Sequence, residues 1–151
     1  MTPAKFDVLC IGNAIVDVLA RVDDAFLTRH GIAKGGMTLI DEFRARQLEH
    51  DLKEVMLAPG GAAGNTSVGV ASFGARSAFI GRVRDDALGE SYIADIRKAG
   101  VHFDTPPARD GAPTARSVIL ITADAQRSMN TYLGASVELG PEDLDDDLVA
   151  Q

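Results

Sequence analysis

The chain has 151 residues, of which 46% are apolar and 25% charged, a composition typical of one globular domain with its own core. It carries 15 Lys and Arg against 22 Asp and Glu, a net charge of −7, so a general affinity for nucleic acid phosphates has no electrostatic source. No apolar run reaches the roughly 20 residues that cross a bilayer, and the first residues do not read as a secretory signal. Cys10 is the single cysteine, so no internal disulfide can form and we expect a cytoplasmic protein. From the charge and the short apolar runs, we expect that it binds neither nucleic acid nor membrane.

The first part of the chain alternates apolar runs with glycine-containing breaks. The run 6–12 predicts a buried strand that ends at a glycine, and the β-branched run 14–22 predicts a second strand. After a glycine-rich loop, residues 37–40 form a candidate third strand. Residues 41–55 have apolar side chains at helical spacing behind a possible Asp41 N-cap, which predicts an amphipathic surface helix. The apolar positions of this predicted helix are Phe43, Leu48, Leu52 and Val55.

The second part begins with a strong break at residues 59–61. Small residues fill 64–73, so this segment could pack its backbone closely against a sheet before Gly74 ends it. Residues 77–83 predict a strand, and a helix follows with matched start and stop signals. The apolar face of that helix carries Leu88, Tyr92, Ile93 and Ile96, with Gly100 after its last turn. After a proline-rich loop over 105–113, two runs at 117–122 and 128–133 predict a β-hairpin.

This order of elements predicts an α/β domain. Strands that alternate with helices favour a parallel sheet, at whose carboxyl edge such folds bind ligands. The segments 37–40 and 117–133 do not fit the alternation, and they predict a small second sheet that covers one end of the first.

The segment Gly60-Gly61-Ala62-Ala63-Gly64-Asn65 is the first candidate binding element. Adjacent glycines let backbone N–H groups approach a ligand, and the following helix points its N-terminus at the same place. The spacing matches neither the dinucleotide-binding fingerprint nor the P-loop, so the main sequence evidence for either kind of nucleotide site is missing. A tight turn with a closely packed helix is an equally good interpretation of the pattern alone.

Gly12-Asn13 and Asp17 form the second candidate element. A carboxylate in an otherwise apolar strand is costly to bury unless its lone pairs are satisfied, and two vicinal hydroxyls of a sugar would satisfy them. An exposed edge-strand aspartate, or one paired with Arg21, explains the pattern without a ligand. Arg127, at the predicted hairpin turn, could hold a phosphate or could be a solvated surface residue.

These residues, in this order, resemble the N-terminal half of the PfkB (ribokinase-like) carbohydrate and nucleoside kinases. The matching positions run from Gly12-Asn13 and Asp17, through Gly60-Gly61 with Asn65-Thr66-Ser67 and Gly74, then Asp85-Asp86 with Gly89, to Pro113-Thr114, Asp124 and Arg127. The chain looks most like bacterial members of the adenosine kinase type. It departs from the family signature at Arg84, where the signature has glycine.

The resemblance implies a ribokinase-like, Rossmann-type α/β/α sandwich with a small β-sheet lid. Residues 1–151 would be the N-terminal part of one such domain, with lid strands near 14–22, 37–40 and 115–133. It also implies that Asp17 is the principal anchor of the sugar hydroxyls. The other implied substrate-binding residues are Asn13, Gly60, Gly61 and Asn65 around the sugar, and Met37, Leu39 and Met129 beside a nucleobase.

An apolar, methionine-containing wall suits a flat heteroaromatic base better than a free sugar, which favours a nucleoside as substrate. For Met37, Leu39 and Met129, ordinary lid or core packing is the alternative. Arg127 matches an arginine that helps to stabilise the phosphoryl group in transfer. The resemblance implies ATP and Mg²⁺ as cofactors, and a homodimer through the lid is possible.

The catalytic base of these kinases belongs to their C-terminal half, so we expect it beyond Gln151 and assign no residue of this chain to that role. Asp17 would be a substrate anchor and not the base. His30, His50 and His102 lack metal-ligand spacing, and no metal site is predicted. We therefore expect the substrate-binding half of a kinase that phosphorylates the 5′-hydroxyl of an adenosine-like nucleoside, with the 151 residues alone inactive. The alternatives are a ribokinase- or fructokinase-like sugar kinase, or a non-catalytic binding or interaction module derived from such a kinase.

Overall fold

The computed structural model describes residues 4–150; residues 1–3 and 151, which the predicted domain range of 1–151 includes, lie outside the described residues. A two-stranded parallel sheet joins β1 (Val8–Ile11) and β5 (Ser77–Ile80). Helix α3 (Ala62–Ser72) packs against both strands. The parallel strands and the packed helix confirm the predicted α/β class.

A second sheet has five strands in the order β3-β7-β6-β2-β4. Strand β2 runs parallel to β6 and antiparallel to β4, and β6 and β7 form the predicted antiparallel hairpin. The strand bounds are Ile15–Arg21 for β2, Met37–Leu39 for β3, Met56–Gly60 for β4, Ala115–Ile121 for β6 and Arg127–Tyr132 for β7.

Helices cover one face of the five-stranded sheet. Val118 and Leu120 of β6 point to that face and are fully buried against α1 (Asp24–Arg29) and α2 (Glu42–Asp51). Nearer the two-stranded sheet, alternate residues of β2 join a core that includes α4 (Ala87–Lys98). Because side chains alternate along a strand, the intervening residues of β2 and β6 point to the opposite, uncovered face.

Several predicted elements are confirmed with shorter bounds. Gly74 ends α3 with a φ of 85°, as a left-handed C-terminal stop requires. The Asp86 side chain caps α4 by accepting from the Gly89 N–H at 2.9 Å. The chain ends in two 3-10 turns, Gly134–Glu138 and Pro141–Asp143, and the short helix α5 (Asp146–Val149). Among residues 4–150, none of the helices combines the length and the apolar character that crossing a membrane requires.

The predicted helix over 41–55 is correct at its Asp41 cap but wrong at its end. Helix α2 stops at Asp51, and strand β4 follows at Met56–Gly60. The Pro-Gly end of β4 predicts only a break, so the strand itself is not predicted. Proline is tolerated here because β4 is an edge strand, with β2 as its one neighbour among residues 4–150. Phe43 is 76% exposed, since it lies about 200° around the helix from the buried Ala45. Val55 lies beyond the helix and is also exposed.

Two further expectations need correction. The first strand is only half-buried, with Ile11 49% exposed, because within the described chain β1 pairs with β5 alone. Helix α1 was not predicted, although the Asp23 side chain caps it by accepting from the Phe26 N–H at 2.7 Å.

Arg84, at the departure from the family signature, donates from Nη1 to the Gly111 carbonyl at 2.6 Å.

Candidate substrate-binding site

The uncovered face of the five-stranded sheet, which we call the Asp17 face, gathers residues from four strands. Asp17 of β2 is in register with Ser117 of β6, Ser117 with Thr131 of β7, and Thr131 with Leu39 of β3. Residues in register on neighbouring strands point to the same side of a sheet. The next row of the same face contains Met56, Leu19, Ile119, Met129 and Met37. The register therefore places Asp17 and the predicted apolar residues on the same face of one sheet.

Met37, Leu39 and Met129 form an exposed apolar surface on this face. Their side chains are 62%, 59% and 37% exposed, which excludes core packing within the described chain. Met37 and Met129 are register partners at one end of the sheet. Unbranched, polarizable methionine side chains adapt to flat ligands, so this surface can contact an aromatic ring.

The Asp17 carboxylate lies directly against the backbone of Gly60. A methyl group added at the Gly60 Cα would stand 2.5 Å from Asp17 Cγ and 2.6 Å from its Oδ2, so only glycine leaves room for the carboxylate. Burial raises the pKa of Asp17 above its usual value. Asp17 is on a central strand, between β4 and β6, and within residues 4–150 it forms no ion pair with Arg21 or any other cation. The edge-strand and Arg21 alternatives are therefore wrong.

The turn after β4 places Gly61 against Asn13. Gly61 has a φ of 86°, and its missing side chain leaves room for the Asn13 carbonyl oxygen. Gly61 also starts α3, where its carbonyl accepts from the Asn65 N–H at 2.8 Å. The side chains of Asn13 and Asn65 are exposed. Both amides can thus donate to and accept from the hydroxyls of a ligand bound at this turn.

Tyr92 of α4 supports this turn from beneath. It is 1% exposed, and its hydroxyl donates to the Gly60 carbonyl at 3.3 Å. Burial, and then the negative charge of Asp17, raise the pKa of Tyr92. Gly64 leaves the space that the Tyr92 hydroxyl fills. The sequence predicts Tyr92 only as part of an apolar helix face, because a long-range contact to a turn leaves no local pattern.

Arg127 lies on the Asp17 face but far from Asp17. Its register partner is Ile121 of β6. Arg127 is four residues from Thr131 along β7, which corresponds to roughly 13 Å at the usual rise per residue of a strand. The side chain is exposed. An arginine at this end of the face can meet an anion that approaches the far end of a bound ligand.

Ser117 and Thr131 are polar residues of the face that the sequence does not single out as site residues. Their hydroxyl oxygens are 2.8 Å apart in the row that contains Asp17. The alternation of polar and apolar residues along each strand is a signal that these two residues share a face with their strand neighbours. It does not reveal which residues of separate strands lie in register.

A metal-binding cluster of three or more His, Cys, Asp or Glu is absent from the described residues. We assign no catalytic step to a metal held by this part of the chain.

Comparison with known proteins identifies the family. A model of the pfkB family carbohydrate kinases matches residues 5–151. The chain belongs to this family. The fold is accordingly the ribokinase-like α/β fold, as the structural relatives below also show.

Two solved structures share this fold closely. The adenosine kinase from Sinorhizobium meliloti is 59% identical with a TM-score of 0.89, and the alignment covers 98% of this chain and 45% of that one. A probable sugar kinase protein from Rhizobium etli is 51% identical with the same TM-score, and again 98% and 45% are covered.

Among curated proteins, a fructokinase from Solanum tuberosum is 34% identical over 94 residues, which are 61% of this chain and 30% of that protein. The chain thus spans less than half the length of each of these three relatives. Phosphotransferase activity is a property of the family, and which substrate this protein takes is a separate question.

Proposed function

We propose that this chain is the substrate-binding half of an ATP-dependent kinase that phosphorylates the 5′-hydroxyl of an adenosine-like nucleoside. The observation that carries the proposal is the shared face of Asp17, Met37, Leu39 and Met129. One end of this face offers a half-buried carboxylate for a ribose diol, and the other offers an exposed apolar surface for a base. The 59% identity to a bacterial adenosine kinase supports the same assignment.

In this proposal, Asp17 accepts hydrogen bonds from two vicinal hydroxyls of the ribose. Its carboxylate sits over Gly60 and is partly desolvated, so each hydrogen bond that it accepts is stronger than in water. Asn13 and Asn65 hold the remaining sugar hydroxyls, next to the Gly60-Gly61 turn. Because Asp17 binds hydroxyls that do not react, it orients the substrate and does not take the proton of the 5′-hydroxyl.

Phosphoryl transfer also needs a phosphoryl donor and charge-stabilising groups. Bound ATP with Mg²⁺ would supply the phosphoryl group and neutralise its charge. The described residues offer no metal-binding cluster, so we derive no step through Mg²⁺ from them. Arg127 is the residue we propose to approach the transferred group, because it is exposed on the Asp17 face and matches the arginine that has this role in the kinases it resembles.

A sugar kinase is the second candidate. The curated fructokinase and the probable sugar kinase from Rhizobium etli favour it, because a free sugar could use Asp17 and the asparagines without touching the methionines. A non-catalytic binding or interaction module is the remaining alternative.

Ligand-dependent stability distinguishes these functions. The protein should be purified at the length at which its source produces it, and its melting temperature measured with adenosine, ribose or fructose at equal concentration. Selective binding to the native state raises the melting temperature, and we expect the largest increase with adenosine. Stabilisation by fructose alone would establish the sugar-kinase alternative, and no stabilisation by any of the three would contradict both kinase proposals.

The proposal that the 151 residues alone have no kinase activity can be tested separately. The purified 151-residue chain, mixed with ATP, Mg²⁺ and adenosine, should form no AMP above the rate without protein. The native-length protein is the control and should form AMP under the same conditions. AMP formation by the 151 residues alone would refute the proposal that the catalytic base lies beyond them.

A further inference from the structure

The Ser117–Thr131 hydroxyl pair is a polar feature in an otherwise apolar part of the Asp17 face. We infer that this pair binds a hydrogen-bonding atom of the nucleobase and thereby makes the site select nucleosides over free sugars. The inference rests on the proposed nucleoside function and adds to it the residues that detect the base.

The hydrogen-bonding capacity of the pair is only partly used. Each hydroxyl has one proton to donate and lone pairs to accept with. Ser117 Oγ and Thr131 Oγ1 bond to each other at 2.8 Å, which uses one proton and one lone pair. Neither hydroxyl has another hydrogen-bond partner within residues 4–150. One proton and the remaining lone pairs are therefore available to a ligand.

The surroundings make that spare capacity important. Ser117 and Thr131 are 6% and 9% exposed, at the bottom of the face, with Ile119 beside them and Leu39 in the next strand. Few waters can reach the pair once a ligand covers the face. A buried donor without a partner costs about 1–3 kcal/mol, so a ligand that offers an acceptor here binds better than one that does not.

The position of the pair fits a base and not a sugar ring. Asp17, Ser117 and Thr131 are in one row on three successive strands, and strands lie about 4.8 Å apart. The pair is therefore centred roughly 7 Å from Asp17 along the row, or one and a half strand spacings. A ribose held at Asp17 by its diol occupies the first part of that distance, and the attached base extends over the pair.

The chemistry of the ligand follows from the pair. A ring nitrogen or carbonyl oxygen of the base accepts the free hydroxyl proton, and the lone pairs can accept from a neighbouring N–H. Met129 and Leu39 contact the faces of the ring while the pair meets its edge. A free pentose or hexose at Asp17 leaves the pair without a ligand partner.

The test uses variants that remove one hydroxyl with little change in shape, Ser117→Ala and Thr131→Val. Isothermal titration calorimetry on the native-length protein should give the Kd for adenosine, ribose and fructose. We expect each variant to weaken adenosine binding about tenfold, since a lost hydrogen bond in a buried site is worth about that factor. Binding of ribose and fructose should change less than about twofold, because neither sugar uses the pair.

Two further variants separate recognition from structure. Thr38→Val makes the same hydroxyl-to-methyl change in the same sheet but on the opposite face, in register with Asn130, and should leave all three Kd values unchanged. Thr131→Ser keeps the hydroxyl and should retain adenosine binding. These variants keep the inference testable if Thr131→Val does not fold.

The outcomes are distinct. Equal weakening for adenosine and for a sugar would overturn the inference, because it would mean that the pair only stabilises the sheet or contacts the sugar. Unchanged adenosine binding in both hydroxyl-deletion variants would also overturn it, while the proposed nucleoside function would survive. Failure of the unmodified protein to bind adenosine would instead defeat the proposed function itself, and the inference with it.

Discussion

The carboxylate of Asp17 occupies the space that a side chain at Gly60 would fill. The two residues are on neighbouring antiparallel strands, where Gly60 is in register with Ile15, two residues before Asp17. Gly60 is buried, and Tyr92 holds its carbonyl from the other side. The position of the proposed substrate anchor therefore depends on a residue with no side chain.

Gly60→Ala tests this relationship. The added methyl would stand 2.6 Å from Asp17 Oδ2 and must displace the carboxylate. We expect substrate affinity, measured by calorimetry, to fall at least about tenfold, because charge-assisted hydrogen bonds are lost or misdirected. Gly69→Ala in α3 is the matched control, since nothing lies within 4 Å of its added methyl and alanine favours a helix. Equal affinities in the two variants would show that Gly60 does not position Asp17.

Asp17→Asn should separate stability from binding. Burial raises the pKa of Asp17, so at neutral pH its charge destabilises the folded chain. The neutral amide removes that penalty, and we expect a higher melting temperature without ligand. It also replaces an ionised acceptor by an amide, so adenosine should bind at least about tenfold more weakly. A lower melting temperature together with unchanged affinity would contradict both expectations.

Substrate binding should depend on pH through the same carboxylate. The ionised form accepts the two sugar hydroxyls, so affinity is complete above the pKa of Asp17 in the free protein and declines as pH falls through it. Because that pKa lies above the ordinary value of 3.8, the decline should begin at a higher pH than for an exposed aspartate. Calorimetry over a pH series should show the decline in the unmodified protein. Its persistence in Asp17→Asn would assign the titration to another group.

Tyr92→Phe tests the support beneath the turn. The variant loses the hydrogen bond to the Gly60 carbonyl and should lower the free energy of unfolding by about 0.5–1.5 kcal/mol. If the turn positions Asp17, KM for the nucleoside should rise severalfold while kcat stays nearly constant. Tyr132→Phe is the control, since within residues 4–150 its hydroxyl makes no hydrogen bond. A fall in stability with no change in KM would restrict Tyr92 to a structural role.

The sequence determined the types of most elements through local chemistry. Asp41 caps α2 as predicted, Asp86 caps α4 in the same way, and Gly74 ends α3 in the left-handed conformation that glycine adopts easily. These features depend on residues a few positions apart, so they are visible in a linear pattern. The family is visible for the same reason, because each of its motifs is a short run of neighbouring residues and the runs follow one another in a fixed order.

Elements stabilised by distant pairing were harder to predict. Strand β4 has a Pro-Gly end that reads locally as a break, yet pairing with β2 makes it a strand. The predicted helix over 41–55 is too long, because residues 52–55 connect the end of α2 to the start of β4 at the sheet edge. Phe43 fits the helical spacing but lies on the exposed side, and only the packing partners of α2 show which side is buried.

For the candidate site, the sequence by itself determined which residues are chemically suited to bind a sugar and a base, because a carboxylate in an apolar run and adjacent glycines are unusual wherever they occur. Only the tertiary structure decided that Asp17, Ser117, Thr131 and Leu39 form one row across four strands. The physical reason is register: side chains alternate with a period of two, so a shift of one residue in any pairing would turn that strand's residues away from the site. Hydrogen bonds between segments up to about a hundred residues apart set that register, and no local pattern contains them.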